Sequence, residues 1–182
     1  MKSFLRIILL FLMITTFSNC SSDKDVSTNE TVFKAKINGE LFVATKITQA
    51  TLLHIPGHGQ RFDITAENDK YKMNFAISVN QESDCMPTGV YANKNGREML
   101  LFTYFSVAIN NNNFLSVHFP VEDASGNTDE VATVTSCNGT KITGIFSGTY
   151  DFEKDPSSIL DIPEDLVITE GVFQNIEFKV LN

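Results

Sequence analysis

FKAKINGELFVA, Phe33–Ala44, decides the fold class of this 182-residue chain. Up to Ile37 the side chains alternate, with Phe33, Ala35 and Ile37 on one face and Lys34 and Lys36 on the other. A two-residue period marks a strand with one covered side; a helix would repeat its apolar positions every three or four residues. Asn38-Gly39 follows, and a tight hairpin turn needs φ > 0 at both central positions, where Asn and Gly are best tolerated. LFVATKI, Leu41–Ile47, then returns as the partner strand.

The same pattern runs outward to the C-terminus. RFDITAE (Arg61–Glu67) alternates and turns at Asn68-Asp69 into YKMNFAISV, where Met73, Phe75, Ile77 and Val79 share a face. Asn95-Gly96 separates GVYA (Gly89–Ala92) from MLLFTYFSVAI (Met99–Ile109), which is apolar on both faces and reads as a strand covered on both sides. Asn110–Asn113 turn the chain into FLSVHF (Phe114–Phe119). VATVTSC (Val131–Cys137), Asn138-Gly139 and KITGIFSGTYDF (Lys141–Phe152) make another hairpin. The last two runs, LVIT (Leu166–Thr169) and VFQNIEFKV (Val172–Val180), meet at Glu170-Gly171. About ten closely spaced strands predict an all-β domain, an antiparallel β-sandwich or a closed or partly closed barrel. One helical turn is expected at DPSSIL, with Asp155 as N-cap and Pro156 in the first turn.

The N-terminus is built differently. Lys2 and Arg6 precede an apolar stretch, Ile7–Phe17, and FSNC ends at Cys20. A positive start and an apolar stretch of this length describe an export signal; a membrane span needs about 20 apolar residues. The segment resembles a bacterial lipoprotein signal, with Phe17 and Asn19 where aliphatic and small residues are usual. That resemblance implies acylation of Cys20 and cleavage before it, leaving a chain anchored in a membrane without a spanning helix. The expected organisation is a signal peptide over 1–19, a flexible polar tether over 20–30 and a single β-domain over 31–182.

FKAKINGELFVA, KITGIFSGTY (Lys141–Tyr150) and TEGVFQNIEF (Thr169–Phe178) together resemble small uncharacterised all-β lipoproteins of Bacteroidota. Those share an opening F-x-A-x-I-N-G-x-x-F hairpin and closing G-x-F-x-G and G-x-F-x-N strands. The likeness covers both ends of the domain. It implies an all-β lipoprotein domain of unknown function and supplies no catalytic residues; the place expected for the chain is the outer membrane, facing either the surface or the periplasm.

Charge narrows the partners. With 14 Lys and Arg against 22 Asp and Glu the chain is acidic, whereas nucleic-acid binding rests on clustered basic residues. The partners expected are the membrane, through the lipid anchor, and a protein or small ligand. Cys85 and Cys137 are the pair left beside Cys20, and two cysteines in an exported chain suggest a disulfide. His54 and His58 (HIPGH) are two imidazoles where a zinc site needs three or four ligands.

In DASGNTDE, Asp123, Asn127 and Asp129 set oxygens at alternating positions, a weak calcium candidate. Thr128 and Val134 stand where a calcium-binding EF-hand loop requires Gly and Glu. No metal or cofactor is therefore expected. No G-x-S-x-G elbow occurs and neither spare cysteine has a neighbouring His, so no nucleophile is legible. FSGTY (Phe146–Tyr150) is similar to the inhibitory loop of periplasmic lysozyme inhibitors, yet its alternation places Phe146 and Tyr150 in the core. In EKDPSSILDIPED (Glu153–Asp165), Ile159, Leu160 and Ile162 stand among five carboxylates, a composition for docking a partner or for closing one end of the fold. The expectation is a lipid-anchored, non-enzymatic envelope domain that binds or builds. The rival from another class is a periplasmic inhibitor or immunity-type lipoprotein.

Overall fold

The computed structural model describes residues 30–92, 103–109, 112–117, 119–151 and 165–181. Thirteen strands lie among them: β1 (Val32–Ile37), β2 (Glu40–Val43), β3 (Lys46–Ile55), β4 (Gly59–Glu67), β5 (Tyr71–Val79), β6 (Gly89–Ala92), β7 (Thr103–Ile109), β8 (Asn112–Val117), β9 (Phe119–Pro120), β10 (Val131–Cys137), β11 (Lys141–Asp151), β12 (Asp165–Glu177) and β13 (Lys179–Leu181). One sheet runs β2-β1-β12-β11-β10-β6, with β9 against the far end of β11, and the other runs β13-β3-β4-β5-β7-β8. The two pack as a sandwich, so the barrel alternative falls away. Every ladder is antiparallel except β13 on β3.

Alternation in the sequence becomes burial in the fold. Phe33, Ile37, Phe42, Phe146 and Phe173 point inward from the first sheet; Phe62, Ile64, Met73, Phe75 and Ile77 meet them from the second. Phe75 stands at the centre, 4.7 Å from Phe146 and 5.5 Å from Phe173 between ring centroids. Burying each such side chain contributes about 1.5–3 kcal/mol, and each aromatic pair roughly 0.5–1.5 kcal/mol more. Replacing Phe75 would therefore loosen both sheets together.

The turns are set by local chemistry. Asn38 (φ 50°) and Gly39 (φ 81°) form the two-residue β1–β2 turn, and Asn38 is clamped to β12 by hydrogen bonds with Val167 and Asp165. The side-chain oxygens of Asn68 and Asn138 each accept backbone N–H groups two and three residues on, holding the β4–β5 and β10–β11 turns.

Four departures from the sequence expectation stand out. Leu41–Ile47 is not one strand: β2 stops at Val43, and Ala44-Thr45 carry the chain across to the other sheet. Backbone bonds tie Ala44 to Phe33 and Thr45 to Glu67, one on each side of that step. β3 is longer than the alternation suggested, because a bulge at Thr48 breaks its period and Pro56-Gly57 disguises a tight hairpin closed by His58 N–H to Ile55 O. Glu170-Gly171 is a bulge inside the single strand β12, not a turn between two strands. The count rises from about ten to thirteen, because the short strands β9 and β13 stand apart from the runs that contained them. β7 is hydrogen-bonded on both sides, by β5 and β8, while Asn95-Gly96 and DPSSIL lie outside the described residues.

Candidate functional site

Three features converge polar or reactive groups. The first is the closed end where the segment after β5 is bolted to both sheets. Cys85 is disulfide-bonded to Cys137 at the end of β10, with 5.9 Å between Cα atoms, well inside the usual span. Gln60 of β4, only 1% exposed, donates to Cys85 O at 2.9 Å and accepts from Ser83 N–H at 2.7 Å. The Nε2 atom of His54 lies 3.1 Å from Ser83 O, and the Gly139 amide donates to the Cys85 sulfur. His54 and Gln60 are thus structural, and His58 lies elsewhere, on a surface hollow beside Asn80 and Glu82.

The second is a buried carboxyl. Glu130 is 1% exposed, and no hydrogen bond of good geometry reaches either oxygen. Burial pushes its pKa up to about 8; the Tyr150 hydroxyl beside it pulls the other way, and the Asp129 charge adds a small upward push. Gly148 makes room for the pair, because a Cβ there would sit 2.9 Å from the Tyr150 oxygen and 3.0 Å from Glu130 Cγ. Sequence reasoning passed over Glu130, although it stands in phase with Ala132 and Val134, both of which point inward. A carboxyl on the core phase of a strand was the available signal.

The third is the acidic turn. Asp123 Oδ1 accepts the amides of Ser125 (2.8 Å) and Asn127 (2.9 Å), which hold its carboxyl below the usual range. Asn127 turns its side-chain amide onto the same carboxylate. Asp129 faces away, accepting the Thr149 amide at 2.8 Å and hydroxyl at 2.6 Å. The structure therefore does not bring Asp123, Asn127 and Asp129 together as a ligand set. No group of three His, Cys, Asp or Glu gathers among the described residues. Cys20 and the trio Ile159, Leu160 and Ile162 lie outside them.

Two further depressions lie elsewhere among the described residues. An open groove of about 650 Å³ runs along β3 and the β12–β13 junction, lined by Thr48, Gln49, Thr51, Glu177, Phe178 and Lys179. A shallow dish of about 350 Å³ lies on the outer face of the first sheet, over Gly171, between Lys34, Ile145 and Val172. Neither is lined by a group of shifted pKa. No protein family, curated protein or solved structure that was compared matches this chain.

Proposed function

We propose that the chain is a lipid-anchored cell-envelope β-domain that acts as a binding or structural module rather than as an enzyme. The Cys85–Cys137 disulfide carries this reading, because such bonds persist in oxidising compartments outside the cytosol. It supports the export signal of residues 1–19 and the acyl-accepting role of Cys20. The resemblance to small Bacteroidota lipoproteins favours the outer membrane. The one strongly shifted carboxyl among the described residues, Glu130, is closed off from solvent, where no substrate meets it.

Fractionation tests the anchor, and a protease applied to intact cells tests the leaflet. The wild type is expected in the membrane fraction and Cys20→Ala in the soluble fraction. A Cys20→Ala chain held as tightly as wild type would sink the lipoprotein reading. Shaving of the wild type on intact cells would put the domain on the surface and favour capture; protection until the outer membrane is opened would favour a periplasmic scaffold.

A further inference from the structure

The outer face of the first sheet carries an apolar row. Taken through the strand registers, Val43 of β2 stands beside Lys34 of β1, Lys34 beside Val172 of β12, Val172 beside Ile145 of β11, Ile145 beside Thr133 of β10, and Thr133 beside Val90 of β6. One line of side chains therefore crosses six of the sheet's seven strands, all but β9. Val43 is 46% exposed, Ile145 52% and Val90 71%, and Leu41 flanks the row at 64%. Single exposed aliphatics are ordinary, but an aligned row on one face marks a contact surface.

We propose that this face is where a second copy of the chain packs, sheet against sheet. A two-fold axis lying between the faces and parallel to the strands reverses the row. Val43 then meets the second copy's Val90, Lys34 meets Thr133, and Val172 meets Ile145. Apolar side chains meet one another, and the Lys34 ammonium faces a hydroxyl rather than its own twin. In the neighbouring row Leu41 meets Ala92 and Lys36 meets Val131, while Glu170 stays paired with Lys36 of its own copy at 2.6 Å. No like charges oppose. An axis perpendicular to the strands would instead set Lys34 on Lys34.

Size agrees with a modest dimer. Six strands about 4.8 Å apart carry two side-chain rows about 6.8 Å apart, and the four longer strands carry a third, which makes a face of about 500 Å². Two such faces bury roughly 1,000 Å², the size of weak and transient interfaces.

The test uses the full chain in density-matched detergent, read by sedimentation equilibrium. Wild type should pass from one to two copies as concentration rises through about 1–300 µM. Val43→Lys and Val90→Glu should each raise the dissociation constant at least tenfold. Both changes in one chain should restore it, since the new Lys of each copy would face the new Glu of the other. Those two positions occupy opposite edges of the sheet, so a contact within one copy cannot produce the rescue. A wild type of single-copy mass at every concentration overturns the proposal, as do single variants that dimerise normally. So does a monomer that binds protein-free vesicles until Val90→Glu is introduced, which would make a lipid surface the occupant.

Discussion

Glu130 links one residue to the stability of the whole. In the unfolded chain its carboxyl titrates at the ordinary glutamate value of about 4.5; in the fold it holds its proton up to about 8. The folded state thus binds the proton more tightly, and stability contributed by the neutral form falls as pH rises between those values. The slope is at most about 1.4 kcal/mol per pH unit. Thermal unfolding of the wild type should therefore drop in midpoint from pH 5 to pH 8, and Glu130→Gln should flatten that decline. An equal decline in both proteins would place the titrating group elsewhere. The same residue shows what a sequence yields. Phe33, Ile37, Phe75 and Phe146 announce their burial by alternating with polar neighbours, while Glu130 obeys the same phase with the opposite chemistry. Hydrophobicity alone hides it.

Elements show where punctuation misleads. Asn38-Gly39 and Glu170-Gly171 look alike as dipeptides, yet one closes a hairpin and the other swells a strand. Both demand positive φ; Asn38 at 50° and Glu170 at 52° are nearly equal. What differs is the surroundings, because β12 pairs on both sides and cannot fold back on itself. Two residues of β1 (Lys34 to Lys36) and two of β11 (Phe146 to Gly148) each span one residue more on β12, so the surplus lies in β12. Neighbours distant in sequence made that choice, which is why it was not legible locally. Opposite outcomes follow for adjacent substitutions. Glu170→Gly relieves a left-handed side-chain conformation and loses only a solvent-exposed ion pair, so stability should change by less than about 1 kcal/mol. Gly171→Ala would set a Cβ 2.4 Å from Phe146 O, and should cost at least about 2 kcal/mol. Chemical denaturation of the two variants checks both; an equal loss would mean that the bulge is not as described.

At the scale of the molecule, the disulfide joins the segment after β5 to the end of β10 across 52 residues. Closing a loop of that length contributes about 4 kcal/mol in the chain-entropy account. Reduction, or a Cys85→Ser and Cys137→Ser double variant, should lower unfolding stability by up to that amount while leaving the strand content of the circular dichroism spectrum intact. An unchanged midpoint would show that the closed end is held by Gln60 and His54 alone. The sandwich also has an order of assembly built into it. β1 finds its inner neighbour only in β12, so that Lys36 waits for Glu170, 134 positions later. A ribosome adding about 5–20 residues per second leaves the first hairpin without that neighbour for on the order of ten seconds. Throughout that interval the nascent chain cannot close its larger sheet, and an unclosed sheet is what the export proposed above would require.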